Sequence, residues 1–182
     1  MKSSYMEKHF HTLYKQRHEM SMAMEPFKGE EWKRPCEDKW SFGETFYHLF
    51  LMVKRFKQLN KLYLPLSKPI AAIRKNKPYE THSKDVYKEY HKKHHKPMKA
   101  PSMLIPPKEI QKNTSFAQLV TSIDAETKQL ENMVDQIKDE IAGHIRYPDP
   151  IADYPNLIQS IHLLCIHENH HFQLCKTYYR FD

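Results

Sequence analysis

The chain has 182 residues and a formal net charge of +7, with 40% hydrophobic residues and only three glycines. This length and hydrophobic content exclude a disordered or fibrous chain and predict one domain, residues 1–182, with its own core. Because a β-sandwich or an α/β fold usually needs more glycine for its turns, the composition favours an all-α chain.

A first helix is predicted over residues 4–24, where apolar residues recur with a helical period. The one gap in this pattern is Arg17. Pro26 and Gly29 follow, and both are typical of a helix end. We therefore expect one amphipathic helix, followed by a polar loop that reaches about residue 39.

A second helix is predicted to begin at Ser41, because Ser41 and Glu44 have the spacing of a capping box. In this motif the serine hydroxyl accepts a hydrogen bond from the backbone N–H of Glu44. The Glu44 carboxylate in turn accepts one from the backbone N–H of Ser41. We expect the helix to reach about Tyr63 and to end there, because Pro65 cannot continue the backbone hydrogen bonds of a helix.

Residues 65–113 differ in kind from the rest of the chain. They contain seven prolines and hold 12 Lys/Arg against 4 Asp/Glu, a net charge of +8, whereas the remainder has a balance of −1. We expect a long connection that covers one end of the protein, with a short basic helix within 83–96. His91 and His95 form a His-x-x-x-His pair there, but the neighbouring lysines favour a solvated basic surface over a metal site.

Two further helices complete the predicted fold. Ser115 and Gln118 have the spacing of a second capping box, and the apolar stripe that follows reaches about Ile141. The last helix is predicted to start near Pro155 and to run to about Tyr179. Four amphipathic helices without a strand pattern predict a four-helix bundle, with the long basic, proline-rich connection between helices two and three.

Nothing in the sequence indicates export or membrane insertion. The apolar runs are far shorter than a membrane span, and the first residues lack the apolar core of a signal peptide. The cysteines are odd in number and have no metal-type Cys-x-x-Cys spacing, which indicates reduced thiols. These features predict a cytoplasmic protein without a membrane partner.

The last predicted helix carries His167 and His171, which lie one above the other on the same helix face. Two neutral imidazoles one turn apart can hold a transition metal. The alternative is one buried histidine satisfied by hydrogen bonds and one at the rim. His48 of the second helix can join them if the two helices are neighbours. Three imidazoles around one ion leave positions open for water or substrate, as in catalytic metal sites.

Other side chains near these histidines are also candidates for the site. Glu168 either orients a ligand histidine through its second ring nitrogen or forms an ion pair, solvated or across helices. His170 and His162 point away from the predicted core face, so we expect them at the surface or at an interface. Zinc and nickel suit three nitrogen ligands best, and iron, manganese or copper would also bind.

The chain resembles the DinB-like superfamily, in particular its YfiT-type members, a group classed with metal-dependent hydrolases. The resemblance rests on Trp40 and Ser41, on His48 and the leucine after it, and on the stretch 167–174, HENHHFQL. Family members similarly show W-S followed by H-L, and H-x-x-H-H-x-x-Q-L near the C-terminus. The long basic connection is the point at which this chain departs from the family.

The resemblance implies a four-helix bundle, frequent homodimers and a metal site whose ligands are His48, His167 and His171. It also implies kinship with transferases and isomerases that use small thiols such as bacillithiol, mycothiol or glutathione. We therefore expect an enzyme whose divalent ion activates water for hydrolysis or a small thiol for transfer to a small-molecule substrate. The alternative is a non-catalytic bundle whose basic segment, with interleaved tyrosines, binds nucleic acid or an acidic partner.

Overall fold

The computed structural model describes residues 1–180, and this part of the chain is helical without a β-sheet. The helices are α1 (Ser4–Ala23), α2 (Phe42–Ile73), α3 (Val86–His94), α4 (Phe116–Val134), α5 (Asp139–Ala142) and α6 (Leu157–Tyr179). Three short 3-10 turns join them, and the one β-bridge found in the described part is isolated. The prediction of an all-α chain is confirmed.

The four long helices pack mainly in two pairs, α2 along α4 and α1 along α6. Smaller contacts join α2 to α6 and α1 to α4, so that each long helix touches two others. Two apolar clusters fill the interior, one around Leu13, Leu130 and Ile161 and the other around Phe46 and Phe172. None of the helices within residues 1–180 combines the length and the apolar character needed to cross a membrane.

Helix α2 does not end before Pro65, as the sequence predicts, but continues to Ile73 with Pro65 and Pro69 inside it. Each proline removes one backbone hydrogen bond of the helix. Both prolines are exposed and lie four residues apart, so the freed carbonyl groups are on the side that water can reach. On the opposite side Leu64 and Ala71 are buried in the core. Burial of that face holds the helix together across both prolines.

Helix α4 ends at Val134 rather than near Ile141, because the chain turns before the short helix α5. Ile137 stays buried across this turn, so the apolar pattern continues although the helix does not. Gly143 follows α5 with an ordinary helical φ of −64°. A β-carbon at Gly143 would lie 2.3 Å from the ring of Tyr79. Close approach of that ring, not a left-handed turn, is why glycine is needed there.

Both predicted capping boxes are present, at the starts of α2 and α4. The last helix has a third capping box, formed by Asn156 and Gln159, which fixes its start after Pro155. This helix ends at Tyr179, as predicted. The predicted basic helix is also present as α3, with Asp85 as its N-cap. These helix starts follow from local side-chain hydrogen bonds, and two of them place the histidine-bearing helices.

The connection between α2 and α4, residues 74–115, lies against the long helices rather than apart from them. The Ser83 backbone N–H donates to Nδ1 of His162 in α6, at 3.0 Å. Further along, Tyr87 and Leu104 reach the region where α2 and α6 approach each other. The connection therefore forms one wall of the region that holds the grouped histidines.

Candidate metal centre

His48, His167 and His171 come together between α2 and α6. One ring nitrogen from each of the three lies within 4.8 Å of the other two. Nearby, Sγ of Cys175 lies 3.7 Å from Oγ1 of Thr45, a contact that holds the same two helices side by side. Within residues 1–180, no other three His, Cys, Asp or Glu side chains are grouped closely enough for one ion.

The outer nitrogen of His48 is fixed by the connection. Nδ1 of His48 lies 2.7 Å from the carbonyl oxygen of Leu104. Because a carbonyl oxygen can only accept, Nδ1 of this neutral ring carries the proton and Nε2 keeps its lone pair. That lone pair faces His167, whose Nε2 is 2.9 Å from Nε2 of His48. Leu104 therefore selects the tautomer of His48 that a cation needs.

The hydrogen bonds continue through His167 to Tyr87. Since Nε2 of His48 has a lone pair, Nε2 of His167 carries the shared proton and donates it in the hydrogen bond between them. Nδ1 of His167 then accepts a hydrogen bond from the Tyr87 hydroxyl group. The chain of bonds runs from Tyr87 through both imidazoles to the backbone of Leu104.

All three imidazoles are held in the neutral form. Burial lowers the pKa of His48, and the hydrogen bond to Leu104 opposes this. Burial, followed by the neighbouring His171 and His48, lowers the pKa of His167 well below its ordinary value. Burial, followed by His48 and His170, lowers the pKa of His171 to about 2. Three neutral imidazoles can bind a cation without losing a net proton to solvent, once the ring proton of His167 has moved from Nε2 to Nδ1.

Aromatic rings surround the three histidines. The ring centroid of Trp40 is 4.9 Å from that of His48 and 6.0 Å from that of His171, with which it is stacked. On another side, the ring of Tyr87 is stacked on His170 at 3.8 Å and 5°. His170 is therefore half-buried against the connection, where we expected a surface or interface residue. Aromatic side chains from the α2 N-terminus and from the connection therefore lie on two sides of the histidine group.

Glu168 does not orient any of these histidines, so that reading is wrong. Its carboxylate binds Arg17 of α1, and Nε of Arg17 lies 2.9 Å from one carboxylate oxygen. Arg17 also donates to Oγ1 of Thr127 at 2.7 Å. Because Glu168 follows His167 directly, it leaves α6 about 100° further round the helix and faces α1 instead of α2. The alternative reading, an ion pair between helices, is the one found.

Glu44, which lies one helical turn before His48, could act as a general base there, but its carboxylate is bound by other groups. Its carboxylate accepts from the backbone N–H of Ser41 in the capping box and from Arg34. The His91 and His95 pair stays exposed in and after α3, away from the three grouped histidines, as its lysine neighbours predict. The residues that sequence reasoning missed are Tyr87 as a hydrogen-bond donor and Leu104, whose backbone carbonyl leaves no signal in a sequence.

The sequence profile of the DinB superfamily matches residues 12–175, a range that includes His48, His167 and His171. Comparison with curated proteins and with solved structures found no match. The profile covers most of the chain, from within α1 to within α6, and the helical structure and the grouped histidines agree with it. The chain therefore belongs to the DinB superfamily.

Proposed function

We propose that the protein is a metal-dependent enzyme of the DinB type, with one divalent transition metal ion held by His48, His167 and His171. The observation that carries the proposal is the approach of one nitrogen from each ring within 4.8 Å. Zinc and nickel suit these ligands best, and iron, manganese and copper are further candidates. The pairing of α2 with α4 and of α1 with α6 supports a four-helix bundle of that type.

An ion held by three imidazoles keeps positions open and lowers the pKa of water or of a thiol that binds there. This supports either hydrolysis or transfer of a small thiol to an electrophile. Trp40 lies against His48 and His171, so an aromatic ring would border a small-molecule substrate that binds the ion. Glu44 and Glu168 are both held by arginines, so neither is free to act as the base.

Tyr87 forms a hydrogen bond with His167 whichever ring nitrogen of His167 carries the proton. For Nε2 of His167 to bind a cation, its proton has to move to Nδ1, which then donates to the Tyr87 oxygen. The hydroxyl of Tyr87 can serve in both states because it both donates and accepts. Burial, followed by the charge of Asp85, raises the pKa of Tyr87, so it stays protonated. Tyr87 thus acts as a positioning residue for a ligand.

The alternative reading, a binding surface for nucleic acid on the basic connection, has less support. Base stacking would need free aromatic side chains next to the lysines. Tyr87 is stacked on His170, and the ring of Tyr79 packs against Gly143 and the ring of His144. Two of the three tyrosines in this segment are therefore engaged within the protein.

We also propose that the protein is a homodimer. The second half of α2 carries an exposed apolar stripe that includes Leu62 and Ile73, which are 75% and 86% exposed. The full stripe consists of Leu59, Leu62, Leu66, Ile70 and Ile73. Its spacings of three and four residues match one face of a helix, which a second copy of the same helix can cover.

Elemental analysis of the purified protein tests the metal proposal. We expect about one ion per chain in the wild type and none in the triple variant His48→Ala, His167→Ala, His171→Ala. The matched control is the double variant His91→Ala, His95→Ala, which removes the other His-x-x-x-His pair and should keep the ion. Equal metal content in the wild type and the triple variant would refute the proposal.

Cobalt(II) substitution separates the two reactions. A small thiol that binds the ion as thiolate produces an intense ligand-to-metal absorption in the near ultraviolet. We expect this band on addition of glutathione or another small thiol if the enzyme is a thiol transferase. Its absence at saturating thiol, together with metal bound at full occupancy, would leave hydrolysis as the proposed reaction.

A further inference from the structure

A second group of histidines lies between α1 and α6. The rings of His9 and His162 are stacked with centroids 4.6 Å apart, and His82 of the connection packs edge-on against both. These side chains border a cavity of about 350 Å³. His162 was expected at the surface or an interface, but it is half-buried in this group. The cavity is on the α1 side of α6, whereas His167 and His171 face α2.

The cavity is lined by side chains that are neutral or positively charged. Its polar lining consists of Lys8, His9, Thr12 and Gln16 from α1, His82 from the connection, and His162, Cys165 and Asn169 from α6. No aspartate or glutamate belongs to this lining. A cavity with an ammonium group, several hydrogen-bond donors and no carboxylate favours an anionic ligand.

The protonation of His162 is set by the backbone. Its Nδ1 accepts the backbone N–H of Ser83 at 3.0 Å, so Nε2 carries the ring proton and is a donor. His9 is 5% exposed, and its Nε2 is buried without a hydrogen-bond partner. The side-chain oxygen of Gln16 is also buried without one. An unpaired polar atom in the interior is costly, which indicates that something else completes this site.

A metal ion does not fit the second group. Two of its rings are stacked face to face, so their nitrogens do not point at a common position. Nδ1 of His162 is already used by Ser83. In the described chain, only His48, His167 and His171 bring ligand atoms close enough for one ion. The two histidine groups therefore differ in chemistry as well as in place.

The charges around His9 favour an anionic ligand whose binding is accompanied by the uptake of a proton. Burial, followed by the positive charge that His162 and His82 can carry, lowers the pKa of His9 to about 4. A hydrogen bond with the backbone of Thr81 opposes the lowering of the His9 pKa. The titratable groups that face His9 are Lys8 on its own helix, His82 on the connection, and His162 and the Cys165 thiol on α6. All of them except the thiol are cationic or can become so, and an anion would offset their repulsion.

We propose that this cavity binds a small oxyanion of the phosphate or carboxylate class, contacted by Lys8 and Nε2 of His162, with His9 taking up a proton on binding. The site is independent of the metal centre. Because the anion binds together with a proton, its affinity increases as the pH falls from 8 to 6.

Calorimetric titration with inorganic phosphate at constant ionic strength tests the proposal, with acetate as the carboxylate probe and chloride as the salt control. We expect saturable binding that is tighter at pH 6 than at pH 8. His9→Gln should weaken it about tenfold, as for a lost hydrogen bond to a charged group. Lys8→Gln should weaken it about fivefold. Lys93→Gln, an exposed lysine of α3, is the matched control and should leave binding unchanged.

Two further measurements make the outcome decisive. Nitrogen-15 spectra of the imidazoles should show His9 becoming protonated as phosphate is added at pH 6. The spectra are recorded on the wild type, and Lys8 is exposed, so neither this measurement nor the titration of Lys8→Gln depends on whether the His9 variant folds. The triple alanine variant of His48, His167 and His171 should still bind phosphate, which separates this site from the metal centre. The proposal would be overturned if neither phosphate nor acetate binds more strongly than chloride, or if the oxyanion binds equally to the wild type and to Lys8→Gln.

Discussion

The guanidinium group of Arg17 in α1 binds the carboxylate of Glu168 in α6, and the two side chains are only 4% and 2% exposed. Arg17 also contacts Thr127 and Asp124 of α4, so one arginine joins three helices. This pair lies one residue from His167 along α6. It therefore anchors the helix that carries two of the three grouped histidines.

We expect Arg17→Met to destabilise the protein by roughly 3–5 kcal/mol, because it leaves the Glu168 carboxylate buried without a partner. The double variant Arg17→Met, Glu168→Leu should lose less stability than Arg17→Met or Glu168→Leu alone. Arg34→Met is the control, since the Arg34 side chain is 48% exposed in its pair with Glu44 and should cost no more than about 1 kcal/mol. Chemical denaturation gives the free energy of unfolding of Arg17→Met, Glu168→Leu, the double variant and Arg34→Met. Equal losses at Arg17 and Arg34 would contradict the prediction.

Tyr87→Phe should weaken metal binding about 10-fold, because Nδ1 of His167, which carries the ring proton when Nε2 binds an ion, loses its hydrogen-bond acceptor. The phenyl ring would still stack on His170, so the fold should be retained. Tyr90→Phe is the matched control, since Tyr90 lies in the same helix and contacts His94 instead. Competition with a chromophoric chelator gives both affinities. If both variants bind the metal with the same affinity, Tyr87 does not position His167 for metal binding.

Acid should destabilise the metal-free protein. His9 and His171 have pKa values of about 4 and about 2, whereas an unfolded histidine has about 6.5. The unfolded chain therefore binds more protons than the folded one below pH 6.5. Each such group lowers the free energy of unfolding by up to about 1.4 kcal/mol per pH unit from 6.5 down to its folded pKa. Thermal unfolding between pH 8 and pH 4 measures this, and a melting temperature independent of pH would refute it.

Metal should add to this stability at neutral pH. An ion that binds only the folded protein raises the free energy of unfolding, and it competes with protons for the ligands. A chelator should therefore lower the melting temperature at pH 7, and its effect should disappear in acid. If the chelator has no effect at pH 7, His48, His167 and His171 are structural residues only.

Leu66→Glu should convert a homodimer to a monomer, because it places a charge in the exposed apolar stripe of α2. Leu66 is 73% exposed, so the substitution should not disturb the core. Met103→Glu is the control, since Met103 is also an exposed apolar residue but lies on the connection. Light scattering after gel filtration gives the mass of each variant. A monomeric wild type would exclude this interface.

The parts of the structure that follow local rules could be predicted from the sequence. The capping boxes at Ser41 and Ser115 depend on hydrogen bonds within four residues, and both are present. The spacing of His167 and His171 likewise places both on one helix face. What could not be predicted depends on distant partners. Pro65 is tolerated because the opposite side of α2 is buried, and no local pattern shows that burial.

The role of Arg17 also could not be predicted from local sequence patterns. In the sequence it is a break in an apolar period, and only the position of Glu168 on a different helix turns it into a buried partner. Leu104 is the extreme case, since the group that fixes His48 is a backbone carbonyl that every residue has. A sequence can therefore indicate which histidines group together, but not what orients them.

The separation of His48 and His167 along the chain bears on when the ion can be acquired during synthesis. These two residues are 119 positions apart, and α6 is the last helix of the described chain. At ribosomal rates, His167 is made about 6 to 24 s after His48. A nascent chain that ends before α6 offers one imidazole of the three, which is no chelating site. If the protein binds metal as proposed, metal binding follows the release of α6 from the ribosome, and truncated translation products should emerge without metal.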